Sequence, residues 1–440
     1  MSGEVVSNEA QGIMSRFAGI RREERRALIF SFLFFFCVLC SYYVVRPLGD
    51  TMSVRLGKEF VQLSFSIIFL VMLAAVPVFG WIVTHVRRAH IIPLVYGFVI
   101  GVFGIFWLLF DKADQNPWLA GAFFIWVKVY VLFVVSLFWS FMSDIWHTAQ
   151  AKRLYGFVSV GGTLGALCGP LLVQMLLARI GIGNLILVSA AVLGCALAAS
   201  LALRGMTDPE RQATMNEMAH REDKPSVFAG AVNVWKSPYL FRIAIWILIA
   251  NVIGMIFYIE QARIVGLSVS GDAARVLLFS RMETAVSIVT ILLEIFVTGK
   301  VMQRFGTGRT IAIVPALTVL GLIALAFAPV LTTIVVIMVL SRAMGYGLSG
   351  PAMRVLYTVV GAQDKYRAQN FIDTLVQRGG NAAAGWLFRG LGKAAGGAGP
   401  VIAAAAVPFA LYWVWLSLDL GKRQEKRAVQ IGEDVTAGSR

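Results

Sequence analysis

The sequence predicts an all-α membrane protein of twelve transmembrane helices in two six-helix bundles, with both termini cytoplasmic. Three observations predict it. Hydrophobic residues make up 58% of 440 positions and charged residues only 14%, where a soluble protein carries roughly 25% charged residues. Twelve apolar stretches reach the roughly 20 residues a helix needs to cross a bilayer. Basic residues collect in alternate loops, the asymmetry of the positive-inside rule.

The stretches are 27–46, 59–83, 90–110, 118–140, 154–178, 184–203, 239–262, 274–299, 308–328, 330–350, 368–391 and 398–420. Helices are expected because lipid offers no partner for an unpaired backbone amide, and barrel strands would alternate polar and apolar residues. The first stretch is too long for a signal-peptide core, and Tyr42 and Tyr43 stand where small cleavage-site residues would be. It reads as an uncleaved helix. The four cysteines (Cys37, Cys40, Cys168, Cys195) all fall inside spans, so "CVLC" reads as apolar packing. Neither a disulfide, a metal site nor a cofactor is expected.

The net charge of +15 points to topology rather than to nucleic acid. Arg16, Arg21, Arg22, Arg25, Arg26, Arg87, Arg88, Lys152 and Arg153 fall on one side, followed by Arg204, Lys236, Lys300, Arg304, Lys365, Arg367, Lys422 and Arg423. The other side receives few, among them Arg55, Lys58, Lys112, Arg179, Arg263 and Arg275. The crowded side is the cytoplasm. The longest polar break then divides the chain into a tail (1–26), a first bundle (27–203), a linker (204–237), a second bundle (238–421) and a C-terminal tail (422–440).

The halves echo one another. "AQAKRLYGF" (149–157) follows the fourth span and "AQDKYRAQNF" (362–371) the tenth; "GWIVTHVRR" (80–88) follows the second and "GKVMQRFGTGR" (299–309) the eighth. Parallel six-helix repeats joined by a cytoplasmic linker resemble the organisation of major facilitator transporters. Gly161, Gly165 and Gly169, running into Pro170, resemble the glycine-proline signature of antiporters of that superfamily. Physically, small residues at this spacing let a neighbouring helix approach closely.

Charges inside the spans are costly, roughly 2.5–3.5 kcal/mol each on insertion scales, and mark function. Lys128 lies near the middle of the fourth span and Arg342 near the middle of the tenth. Lys128 precedes Gln150 by 22 residues and Arg342 precedes Gln363 by 21, so the two cations occupy nearly equivalent places in the repeats. Arg46 and Arg263 form a second such pair, 34 residues before Gly80 and 36 before Gly299. These two sit near span ends, where snorkelling to the interface is the competing reading. For Lys128 and Arg342 the competing reading is a structural ion pair with Glu260, Glu283 or Glu294. Tyr42, Arg46 and Asp50 share one helix face. Glu283, Ser287, Thr290 and Glu294 form a polar stripe on the eighth span; Asn370, Asp373, Thr374, Gln377, Arg378 and Asn381 form another on the eleventh. Glu283, Glu294, Asp373, Gln377 and Asp50 are candidates for coupling or cavity lining. Asp144 and Asp373, close to Lys152, Arg153 and Arg367, read as gate or anchor pairs.

"SYYVVRPLGDTM", "LFWSFMSDIW", "AQAKRLYGFVSVGGTLGALCGP", "YIEQARIV" and "QNFIDTLVQRGGNAAAGW" together resemble the ATP/ADP translocase family, the nucleotide exchangers of plastids and intracellular bacteria and their free-living relatives. The resemblance implies twelve helices, a major-facilitator-like fold, spans one, four, seven and ten around a central cavity, and exchange by alternating access. It would place Lys128 and Arg342 across that cavity, with Arg46, Tyr42, Glu260, Arg378 and Asn381 also contacting substrate. The charge set departs from the family's: Gly49 stands where the exchangers carry a basic residue, Lys128 where they carry an acidic one, and Asn381 near an expected lysine.

The resulting expectation is a secondary active transporter in a bacterial inner membrane, moving a small organic or phosphorylated anion, nucleotide exchange included. A lipid-headgroup flippase on the same fold and a non-transporting receptor or scaffold stay open. An enzyme is not expected, since His85, His90, His147 and His220 lie in or beside loops, apart from any nucleophile.

Overall fold

The computed structural model describes residues 24–86, 88–114, 116–146, 148–205, 227–361, 368–369, 371–372, 376–394 and 399–438. These are helices joined by short connections. A helical stretch at Glu24–His85 is broken at Gly57 (φ 75°, ψ 170°) into α1 (Glu24–Gly57) and α2, whose apolar part is Glu59–Ala75. Then come α3 (Arg88–Leu109), α4 (Pro117–Ile145), α5 (Thr148–Arg204), α6 (Val227–Lys236) and α7 (Pro238–Ser268). They are followed by α8 (Asp272–Leu292), α9 (Thr298–Phe327), α10 (Leu331–Met344), α11 (Gly350–Leu356), α12 (Gln377–Ala394) and α13 (Gly399–Gly438). Among the described residues, 8 helical segments are long and apolar enough to cross a membrane. The backbone of Gly57 sits where a Cβ would be strained, which is why a glycine and no other residue turns the chain there.

Two boundaries differ from the sequence expectation. The first helix does not stop at Arg46: it continues through Pro47 to Gly57. Proline forfeits one backbone hydrogen bond, whereas ending the helix inside lipid would strand several. The last helix also runs on through most of the expected tail, to Gly438. Linker residues 206–226 lie outside the described residues, and the described remainder is mostly α6.

The chain forms two compact units. The first gathers Met1–Arg46, Pro77–Asp111 and Val127–Glu222. Its core is aromatic: Phe34 meets Phe138 edge-on at 5.0 Å and Phe35 stacks on Phe138 at 4.3 Å. Tyr96 donates its hydroxyl to Val134 O at 3.0 Å, so the buried phenol costs nothing in lost hydrogen bonding. At the start of α1, Glu24 is buried and accepts from Arg153 Nη2 through both carboxylate oxygens at 2.8 Å and from Gln150 Nε2 at 2.9 Å. Arg153, expected beside Asp144, here meets the carboxylate of Glu24. The glycine stripe packs α5 directly onto α1: a Cβ on Gly161 would come within 2.5 Å of Phe32 O, one on Gly165 would strike Phe36 O, and one on Gly169 would come within 2.8 Å of Cys40 O.

The second unit gathers Pro47–Val76, Lys112–Trp126 and Asp223–Arg440. α9 and α13 cross in contact at Gly308 and Gly421, where a Cβ on Gly308 would lie 2.8 Å from Gly421 Cα. Trp246 Nε1 donates to Ser417 Oγ at 2.8 Å and Tyr239 donates its hydroxyl to Leu356 O at 2.8 Å. At the same end, Asp419 pairs with Arg242 at 3.2 Å and Arg423 at 2.7 Å, and Arg427 lies over the Tyr239 ring at 4.5 Å.

The α5–α1 contact yields a stability prediction. Gly165→Val should lower the thermal midpoint of detergent-solubilised protein by several degrees, corresponding to overpacking of about 1–3 kcal/mol. Gly156→Val, on the same helix with nothing within 4 Å of the added Cβ, should leave that midpoint nearly unchanged.

Candidate functional site

The most tightly built polar contact in the second unit joins α10 to α8. Arg342 Nη1 donates to Glu283 Oε1 at 2.5 Å and Nη2 to Oε2 at 2.6 Å. The planar guanidinium meets the carboxylate edge with two parallel bonds, the strongest geometry available to this pair. The side chain of Glu283 is 2% exposed and that of Arg342 17%. α8 is held to α10 by the polar stripe read from the sequence: Ser287 and Thr290 are buried beside Glu283, and Thr290 Oγ1 donates to Ala343 O at 3.5 Å.

Further along, both helices widen. A π turn occupies Leu293–Val297 on one and Gly345–Ser349 on the other. The two turns touch: Thr298 Oγ1 lies 2.7 Å from Gly347 O, and a Cβ on Gly347 would lie 3.0 Å from Leu293 Cβ. Such turns store an extra residue in a helix and recur at functional sites. Glu294, the last member of the expected stripe, falls within the first π turn and is exposed rather than buried with the others. The π turns themselves were not anticipated; the signal was the cluster Gly345, Gly347, Gly350 and Pro351.

Glu260, on α7, is buried and takes a different partner. Its Oε2 accepts from Arg263 Nε at 2.8 Å and Nη2 at 2.6 Å, within one helical turn. The competing structural reading for Arg342 thus has its carboxylate, Glu283, and Glu260 serves Arg263. On α12, Gln377 is exposed and its backbone oxygen accepts from Asn251 Nδ2 at 3.1 Å, while Asn381 is half-buried. Asp373, Asn370 and Thr374 lie outside the described residues, as does the side chain of Arg378.

In the first unit, Lys128 is half-buried on α4. Arg46 is also half-buried, inside α1 rather than at its end, with its guanidinium carbon 5.7 Å from the Tyr42 ring centroid and 5.3 Å from that of Tyr43. These are cation–π distances. Tyr42 in turn meets the buried Tyr130 edge-on at 6.3 Å. Asp50, one turn further along the same helix, accepts from the hydroxyl of Tyr258 at 2.9 Å. Tyr258 escaped the sequence reading because a tyrosine in an apolar run carries no charge to mark it.

The described residues thus include 8 helical segments long and apolar enough to cross a membrane, with a bidentate ion pair joining two helices that both carry a π turn. Comparison with known proteins gives the family. A family model described as Major Facilitator Superfamily matches residues 141–385, more than half of the chain, and the chain belongs to that superfamily. It is 23% identical to ADP,ATP carrier protein 1 of Chlamydia muridarum (strain MoPn / Nigg), over 90% of this chain and 88% of that one. The protein of the same name from Chlamydia trachomatis serovar D is 22% identical with the same coverage. Among solved structures, the fold is similar to that of the nucleoside transporter NupG (TM-score 0.60, 14% identity, 92% of this chain and 99% of that one). It is also similar to that of a bacterial homolog of the human lysosomal transporter Spinster (TM-score 0.51, 15% identity, 94% and 99%).

The ion pair yields a second stability prediction. Arg342→Met or Glu283→Met alone leaves a buried charge without its partner and should cost about 3–5 kcal/mol. The double variant Arg342→Met/Glu283→Met should return to within ~1 kcal/mol of the parent, as read from denaturation midpoints in detergent. A loss in the double variant equal to the sum of the two single losses would mean that the pair is not coupled.

Proposed function

We propose that this protein is a secondary active transporter of an organic or phosphorylated anion, nucleotides included, acting by exchange or proton coupling in a bacterial inner membrane. The observation that carries the reading is the Arg342–Glu283 fork. A guanidinium held edge-on by a carboxylate is already shaped to receive another carboxylate or a phosphate. In this reading Glu283 occupies the anion's place until substrate arrives, and is then left to take a proton or to repel the bound anion when it must depart. Lys128, at the matching place in the other repeat, supplies a compact second charge, and Arg46, steadied by Tyr42 and Tyr43, a third. Glu260, Arg378, Asn381 and Gln377 are proposed further contacts; Glu294, Asp373 and Asp50 are proposed to serve coupling or to line the route.

Supporting the wider reading are membership of a transporter superfamily and similarity to proteins named as ADP,ATP carriers. We read twelve crossings. The segments Arg153–Arg204 and Asp272–Phe327, 52 and 56 residues long, are each long enough for two, and α2 and α12 complete the number. We propose the two six-helix bundles and the linker as the sequence divides them, with both termini on the basic, cytoplasmic side, and with α13 continuing as a helix into the C-terminal tail.

The test is counterflow in proteoliposomes, first with labelled nucleotides and then with a panel of phosphates and carboxylates. Loss of one charged contact is worth about 1.5–3 kcal/mol, so Lys128→Ala and the stability-matched Arg342→Met/Glu283→Met should each slow uptake roughly tenfold or more. Parental uptake in both variants would remove these residues from the transport mechanism.

A further inference from the structure

The end of the second unit at which α7 begins and α13 runs on carries an exposed surface separate from the ion-paired site. Here α6 (Val227–Lys236) is a short helix with two unlike faces. Val234 is buried in the core, whereas Val232 and Trp235 are 51% and 71% exposed. Those two are three residues apart and so share one helix face. Lys236, next to Trp235, is exposed too. Ser237 then takes an extended conformation (φ −101°, ψ 108°) that separates α6 from α7, and caps α7 by accepting from Leu240 N at 3.4 Å. Trp235 stays against Phe241, ring to ring at 5.1 Å.

Beside this apolar face the charge is one-sided. Arg242 Nε and Arg423 Nε both reach Asp419 Oδ2, at 3.2 and 2.7 Å, so one carboxylate answers two guanidiniums and a positive charge is left over. On the same stretch of α13, Lys422 and Lys426 are exposed, and Arg427 lies over the Tyr239 ring at 4.5 Å. These contacts hold together stretches 232–242 and 419–430, which carry six lysines and arginines against two carboxylates.

We propose that this surface binds the headgroup of an anionic phospholipid. In this arrangement α6 lies in the headgroup layer, Trp235 and Val232 dip toward the acyl chains, and Lys236, Arg242, Lys422 and Arg423 gather around the phosphate. The occupant follows from three features. The apolar patch ends three residues before Pro238, the start of a helix long and apolar enough to cross a membrane, so chain connectivity alone keeps it near headgroup depth. A short helix with one apolar and one basic side lies in that layer, and tryptophan favours it because its ring is apolar and its N–H is polar. The excess of positive charge matches a phosphodiester, whose two oxygens suit the planar fork of arginine, and basic residues beside a membrane-crossing helix attract anionic lipid.

The proposal requires only that these helices cross a membrane, and its test is independent of which solute is carried. Native mass spectrometry of the purified protein, equilibrated with equal amounts of phosphatidylglycerol and phosphatidylethanolamine, reads the preference. The parent should retain phosphatidylglycerol severalfold more. The exposed positions in Lys236→Gln/Lys422→Gln/Lys426→Gln should leave the fold intact and cut that preference roughly tenfold or more, since each basic residue near the surface is worth about fivefold. Lys112→Gln, at an exposed lysine in a loop that the sequence places on the other side, should not change it. In vesicles, brominated phosphatidylglycerol should quench tryptophan fluorescence more than brominated phosphatidylethanolamine does, and Trp235→Phe should narrow the difference. Equal retention of the two lipids by the parent, an unchanged ratio in the triple variant, or a quenching difference that Trp235→Phe leaves intact would overturn the proposal. So would displacement of the lipid by millimolar glycerol 3-phosphate, the mark of a soluble-anion site, or a dimer that the triple variant splits, the mark of a second copy on this surface.

Discussion

A guanidinium surrounded by apolar helices has to be answered by a carboxylate, and Arg342 is answered by Glu283 from the facing helix through both of its terminal nitrogens. Much of the second unit is arranged around that requirement. Ser287 and Thr290 are buried on the same face of α8, so a polar seam rather than an isolated charge lies between α8 and α10. The π turns further along both helices touch each other and change the helical register beyond the ion pair. Two helices joined by a strong, directional contact on one side of such turns can shift on the other side without unfolding, since the extra residue gives backbone hydrogen bonds alternative partners.

The same logic separates contacts that hold from contacts that can yield. Glu24 is buried and accepts three hydrogen bonds from Arg153 and Gln150, which makes it an anchor between α1 and α5. The glycine stripe of α5 removes side chains along the same boundary, so the two helices pack backbone to backbone. Asp272, by contrast, shares one carboxylate between two arginines at longer distances and with more solvent exposure. Partly exposed ion pairs contribute little to stability, about 0–1 kcal/mol.

Much of this was legible in the sequence, because lipid imposes severe rules. Apolar length led to the helices; their direction, read from the sidedness of basic loops, and the equivalence of Lys128 and Arg342, read by counting along the repeats, are proposals. The glycine stripe read correctly as a close helix contact. Pairing was less legible. Glu260, Glu283 and Glu294 were equal candidates for Arg342 on paper; the choice depends on which faces of α7, α8 and α10 meet, and a linear pattern does not carry that. Arg46 was read as standing near the end of its helix because the apolar run stops there on an arginine, a proline and an aspartate (Arg46, Pro47 and Asp50). In an apolar environment the backbone keeps its helix through a proline, and the turn waits for Gly57. Tyr258 and the π turns were silent for a related reason: neither carries charge, and both matter only through what lies opposite.

The central claim is that an anionic solute and Glu283 compete for the fork of Arg342. Equilibrium binding of labelled nucleoside diphosphate and pyrophosphate to purified Glu283→Gln, beside the parent protein, tests it most directly. The account predicts that removing the carboxylate's charge tightens anion binding by about tenfold, the equivalent of roughly 1.4 kcal/mol, because the solute no longer has to displace an ionised partner. Unchanged or weaker binding of every anion tried would contradict it.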